Sequence, residues 1–243
     1  MTIDEGMDVT PLNLGMIASY YYIQYTTIEL FSSSLQSSTK LKGLIEILAS
    51  AGEFDSLPVR HREDDVLAQL AAHCPLKLDD PRYNDPHAKA NVLLQCHFCG
   101  RDVGREMGAD LDTVLDKSLR LLQAMVDVIS SSGWLAPALA VMELSQMSVQ
   151  GLWDRDPVLM QLPHISRDLA KKCAAAGVES VFDVMDMEDD DRNALLGLSG
   201  GQMVELARAC NRCARCHQDH PARTWPDRHP APTRLTHRRI LLT

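Results

Sequence analysis

Aromatic residues are scarce, at 5% of the 243 residues. A core must therefore rest on Leu, Ile, Val, Met and Ala, a mixture that favours helices over a β-sandwich. There is no phosphate-cradling loop of the form GxxxxGK[ST], no Asp-Glu-x-His or Asp-Glu-x-Asp box, no HExxH and no Rossmann glycine pattern. ATP hydrolysis is thereby excluded from this chain, which reads as a non-enzyme without a cofactor. No apolar run approaches the ~20 residues needed to span a bilayer. The first residues carry Asp4, Glu5 and Asp8 and no apolar signal segment. No membrane partner is expected beyond a peripheral one.

Positive charge is also short. The net charge is −9, and residues 208–243 hold eight Arg against two Asp. Residues 1–207 are left with 16 Lys+Arg against 31 Asp+Glu, a net of −15. Such a body has no general attraction for phosphate backbones, so nucleic-acid contact needs a local strip or backbone amides. The seven cysteines are an odd number. Cys74, Cys96, Cys99 and Cys173 sit in helical, mostly apolar surroundings, which reads as reduced thiols of a cytosolic or nuclear protein.

Periodicity predicts an all-α chain. A leader over 1–10 precedes a multi-helix bundle over 11–155. Thr10-Pro11 reads as the first helix start, with Ile17, Tyr21, Ile28, Phe31 and Leu35 following at helical spacing. Thr39 reads as the cap of a second helix with Gly52 at its exit, and a third runs from about Glu63 to near Pro75. Asp85-Pro86 starts the next, after a loop over 75–87. Gly100, Gly104 and Gly108 interrupt the pattern. Asp110 then reads as the cap of a long central helix over 111–132, closed by Gly133. Its stripe of Leu111, Leu115, Leu119, Leu122, Val126 and Ile129 is widened by Val114, Leu121, Met125 and Val128, as suits packing on more than one side. A helix from Leu135 to Trp153 should return antiparallel to it. Asp156-Pro157 and Leu162-Pro163 mark a boundary. A small module follows over 156–212, in which Ser166 caps a helix that Gly177 ends, Ser180 to Met185 is another short turn of helix, and a last helix runs from Gln202 to Cys210. Arg, His, Pro and Thr dominate 213–243, which reads as a disordered tail.

Three groups of residues carry candidate chemistry. Thr113, Lys117, Arg120 and Gln123 share a face of the central helix with Asp116 and Asp127. Lys117 and Arg120 could meet the phosphates or bases of a single strand, and Gln123 could hydrogen-bond. Two cations beside two carboxylates equally describe an ordinary solvated face. Gly197-Leu198-Ser199-Gly200-Gly201 resembles a helix-hairpin-helix turn, in which Gly197, Ser199, Gly200 and Gly201 would let the backbone approach a phosphate. A plain helix-helix turn is the alternative, and the acidic run at 186–191 opposes phosphate. Cys210, Cys213, Cys216 and His217 have the residue types for zinc, with His220 as another ligand. Cys213-x-x-Cys216-His217 also matches haem attachment, although nothing directs the export that haem attachment requires. Chance clustering in a biased tail accounts for both. Arg60-His61-Arg62-Glu63-Asp64 reads as a charge network at a helix N-terminus.

Several strings fall in one order: LNLGMIASYYYI at 12–23, LPVRHRED at 57–64, NDPHAKANVLLQ at 84–95, GWLAPALAVMELSQM at 133–147 and VESVFDVMDMEDDDRNALLGL at 178–198. Over roughly residues 8–212 the chain resembles the Sec-sixty-three homology domain that follows the motor in large DExH-box RNA helicases. The strings look closest to the spliceosomal branch, and there to its second, C-terminal cassette. The resemblance implies a helical bundle with a ratchet helix, matched here by 110–132, then a helix-hairpin-helix-like module, then an immunoglobulin-like β-domain. No motor precedes residue 8, and the Arg/His/Pro-rich tail stands where the β-domain is expected after about Asn211, so the chain reads as truncated. What the resemblance implies for function is a non-catalytic, nuclear platform in pre-mRNA splicing. Its partners would be helicase motor domains and splicing proteins, with weak contact to single-stranded RNA. Two other readings are a fragment of an active ATP-dependent RNA helicase and a domain at the endoplasmic-reticulum translocon, where a related domain occurs.

Overall fold

The computed structural model describes residues 2–3, 9–10, 12–79 and 82–219, with side chains for 12–79 and 82–213. The chain is all-α and divides into two compact units, residues 1–154 and 155–243. The strands among the described residues are a two-residue antiparallel pair, β1 (Thr2–Ile3) with β2 (Val9–Thr10).

In the first unit the expected opening helix is two helices. α1 (Asn13–Tyr21) starts after Leu12, and Thr10 lies in β2 instead of capping it. Tyr22 then adopts a left-handed conformation, φ 53° and ψ 48°, which stops α1 and turns the chain into α2 (Tyr25–Ser34). Glu53 serves the start of α2: its carboxylate accepts the Gln24 N–H at 2.9 Å and the Thr27 hydroxyl at 2.6 Å. α3 (Leu41–Ala49) is preceded by Lys40, and the Thr39 hydroxyl accepts the Gln36 N–H at 2.9 Å rather than capping the helix. Gly52 opens a 3-10 turn, Gly52–Phe54, instead of closing α3.

α4 (Glu63–His73) and α5 (Pro86–Phe98) follow. Asp85 caps α5 as its Asp-Pro start predicts, accepting the His87 N–H at 3.0 Å. α5 is buried nearly all round, and its buried polar side chains are bonded. Gln95, for example, accepts the Leu76 N–H at 3.0 Å and donates to the Leu76 carbonyl at 2.9 Å. This is the pairing that buried amides require.

α6 (Arg105–Ser131) is the long central helix, and α1, α2, α3, α5 and α7 all pack on it. It begins six residues before the expected start, because Asp110 is a buried ion-pair partner within the helix and not its cap. Its deepest side is Val114, Leu121, Leu122, Met125 and Ile129, while Leu111, Leu115 and Val126 pack partly buried at the edge. α7 (Leu135–Gln150) stops at Gly151, short of Trp153. Gly151 has φ +66°, and a Cβ there would sit 3.2 Å from the His97 ring. Conformation and space both call for glycine at this exit.

The second unit holds a 3-10 turn (Val158–Gln161), α8 (Arg167–Ala175), α9 (Val181–Asp186), α10 (Asp189–Leu196) and α11 (Gly200–Asp219). Ser166 caps α8 through the Leu169 N–H, and Ser180 with Asp183 makes a capping box on α9. Leu159, Leu162, Ala170, Cys173, Val184, Leu206 and Cys210 are among the side chains of a separate core. α11 passes the expected end at Cys210, so residues 213–219 of the expected disordered tail are helical. Residues 220–243 lie outside the described residues.

Candidate nucleic-acid and protein interface

The strip on α6 is built by spacings of three and four, which place Thr113, Asp116, Lys117, Arg120, Gln123 and Asp127 on one side. Thr113, Arg120 and Gln123 are exposed. The Thr113 hydroxyl donates back to the Ala109 carbonyl at 3.0 Å. Lys117 is half-buried, and its ammonium donates to the Glu53 carbonyl at 2.6 Å and toward the Ser56 hydroxyl at 3.4 Å. That cation is engaged in holding the turn after α3 against α6. Asp127 accepts the Tyr21 hydroxyl at 2.8 Å. Burial, then this bond, push the Tyr21 phenol up to about 12. Arg120 is left as the exposed cation of the strip, with Asp116 one turn before it.

A second constellation joins four groups that the sequence does not place together. Lys89 on α5 is fully buried. Its ammonium donates to the Pro58 carbonyl at 2.6 Å, Glu63 Oε2 at 2.8 Å and Asp110 Oδ2 at 2.7 Å. Arg60 donates to both Asp110 oxygens and to Glu63 Oε1. Its own N–H donates to Glu63 Oε2 at 2.9 Å. Burial by itself pushes the Asp110 carboxyl up, but the hydrogen bonds from Arg60 and Lys89 outweigh it and hold Asp110 below the usual carboxylate range. Glu63 behaves alike: burial raises it, and bonds from the Arg60 N–H and Lys89 bring it lower. The 60–64 charge cluster is thus more than a helix-terminus network. It closes the 58–63 segment onto α5 and α6. Only Arg60 and Glu63 of this set are local in sequence, so no spacing rule finds Lys89 or Asp110.

In the second unit, Gly197 has φ +61° and ends α10 by donating its N–H to the Asn193 carbonyl at 3.0 Å. The Ser199 N–H and hydroxyl both lie 3.0 Å from Gln202 Oε1, and the Ser199 carbonyl accepts the Met203 N–H. Gly200 and Gly201 form the first turn of α11, with open space where a Cβ would be. Two helices are thereby joined by a tight turn with exposed glycine backbone. The same five residues spell G-x-S-x-G, the string of a hydrolase nucleophile. That string works on a strand-to-helix elbow with a base beside the hydroxyl. Here it joins helix to helix, and the Ser199 hydroxyl is spent on Gln202.

Of the zinc candidates, Cys210 and Cys213 have described side chains. Cys210 is buried in the core of the second unit, where burial pushes its thiol up to about 11, opposing the thiolate that zinc needs. Cys213 is half-buried beside that core. The side chains of Cys216 and His217 lie outside the described residues, as does His220. Among the described residues no group of three His, Cys, Asp or Glu is arranged to hold a metal ion. No helix among them is long and apolar enough to cross a membrane.

The family model of the Sec63 Brl domain matches residues 11–208. The chain is 55% identical over 212 residues to the U5 small nuclear ribonucleoprotein 200 kDa helicase of Homo sapiens, covering 87% of this chain and 10% of that protein. It is 51% identical over 217 residues to the Drosophila melanogaster protein of the same name, again covering 87% and 10%. With the Arabidopsis thaliana DExH-box ATP-dependent RNA helicase DExH12 it shares 53% over 213 residues, covering 86% and 10%. The chain spans about a tenth of the length of the curated relatives it matches.

Proposed function

Since the chain belongs to the Sec63 Brl domain family, we propose that it is a non-catalytic accessory part of a spliceosomal RNA helicase, acting in the nucleus as a platform that holds motor domains and splicing proteins. The observation that carries this reading is the state of the α6 strip. Lys117 is bonded to the Glu53 carbonyl, which leaves Arg120 to face a strand alone beside Asp116. One exposed cation in that strip, on a body with a net charge of −15 over residues 1–207, is a poor grip on a phosphate backbone. The names of the relatives favour splicing over the translocon. In this reading the Gly197–Gly201 turn is a helix-hairpin-helix-like joint, residues 11–155 and 156–212 are the working domains, and RNA contact is weak.

Affinity capture from nuclear extract tests the platform: spliceosomal proteins should be enriched on the full chain, and their absence would overturn the reading. For RNA, fluorescence anisotropy with a labelled single-stranded oligonucleotide should show weak binding or none. Micromolar or tighter binding that disappears in Arg120→Glu would return α6 to strand tracking. A second reading, part of an active ATP-dependent RNA helicase, is favoured by the relatives' names and by the tenth of their length that is matched. In that setting the unit would serve a motor supplied elsewhere.

A further inference from the structure

α7 is apolar on two opposite sides. Ala138, Val141, Leu144 and Met147 are buried in the first unit. On the other side Leu135, Leu139, Met142 and Val149 are 72%, 49%, 46% and 69% exposed. They recur at steps of four, three and seven, so they line one stripe, with Gln146 completing it. A helix that is hydrophobic all round belongs in an interior, yet this one lies with half its surface in water. Glu143, beside the stripe, is the one charged residue in α7. Residues 1–154 as a whole hold 11 Lys+Arg against 21 Asp+Glu, a net of −10.

We propose that this stripe is the docking surface for an amphipathic helix of a partner protein. That helix would carry Leu-type side chains at three- and four-residue steps, flanked by Lys or Arg. The inference rests on the platform reading and names the kind of partner it holds. Charge selects the occupant. A second copy would bring another unit of net −10 and a second Glu143 against the first, which opposes pairing. The stripe itself exposes on the order of 400 Å² of apolar surface, the size of a functional patch on a monomer. A single basic-flanked helix matches both the width and the sign of the surface, in the helix-on-helix mode of peptide recognition.

The test uses the full chain and three fluorescein-labelled synthetic peptides: an amphipathic Leu/Lys helix, its Leu/Glu counterpart, and a Leu/Lys peptide scrambled to remove the apolar face. The Leu/Lys helix should bind with micromolar affinity and the other two at least tenfold more weakly. Leu135→Gln/Leu139→Gln/Val149→Gln, which keeps good helix formers on a solvent face, should lose at least tenfold while its circular dichroism and melting stay unchanged. Equal binding to the triple variant, or by the scrambled peptide, overturns the proposal. So does a dimer in sedimentation that the triple variant abolishes, since the occupant is then a second copy. Capture from extract separates the two readings. If the triple variant retains every splicing protein that the wild type enriches, the stripe is not the site and the platform stands. If neither enriches any, the platform falls, and peptide binding still decides the stripe.

Discussion

Replacing Lys89 with methionine nearly preserves the volume of the side chain and deletes its ammonium. In the native protein that ammonium is fully buried and donates to Pro58, Glu63 and Asp110. The variant leaves a backbone carbonyl short of its donor and two buried carboxylates with Arg60 as their remaining cation. Removing one member of a buried ion pair costs about 3–5 kcal/mol, and we take the lower end, about 3 kcal/mol, because Arg60 still bonds both acids. For a unit of this size that corresponds to a fall in Tm of about 6–12 °C. The melt is best followed by Trp fluorescence, since Trp134 and Trp153 both lie in the first unit. The pH dependence supplies a second reading. Glu63 and Asp110 are held below their ordinary values in the folded protein. Their contribution is complete above the ordinary carboxylate range, about pH 4–5, and is lost as pH falls through the lowered folded values. In Lys89→Met the two acids lose one of the two cations that hold them ionised, so protonation relieves the variant. The gap between wild type and variant should narrow below about pH 4. A gap of less than about 0.5 kcal/mol at pH 7, within the usual scatter of surface changes, would refute the reasoning. So would a gap that does not change between neutral and acid pH.

Two further outcomes follow from single contacts. Gly151→Ala places a Cβ 3.2 Å from the His97 ring at a φ of +66°, and should lower the stability of the first unit by about 1–2 kcal/mol in urea titration; a neutral result would mean that the exit of α7 relaxes freely. Ser180→Ala removes one half of the α9 capping box, and should cost the second unit about 1 kcal/mol by hydrogen exchange of its amides, with the first unit unaffected.

What the sequence discloses here is mostly local. Asp85-Pro86 and Ser166 announce their helices because a cap is formed by residues two or three apart, and the structure places both as caps. The short helix after Ser180 is also legible, while its capping box is seen in the structure. The α1–α2 break escapes because Tyr22, not glycine or proline, takes the left-handed conformation. Asp110 looks like a cap from its neighbours. Its true partners are 21 and 50 residues away, which local pattern cannot supply. Lys117 is the same case, since its partner is a backbone carbonyl 64 residues away and a carbonyl has no signature in sequence. The strip on α6 is therefore legible as a face, while the number of its cations still available is not.

Three of the polar ties of α6 have a mechanical consequence. Asp110, Lys117 and Asp127 bond to partners on α5, the turn after α3 and α1 respectively. They stand at three heights along about 25 Å of helix, at 1.5 Å per residue. Sliding α6 by a single residue would break all three ties together, along with the buried side of the helix. A push delivered to its exposed strip would therefore have to break these ties before α6 could slide within the bundle.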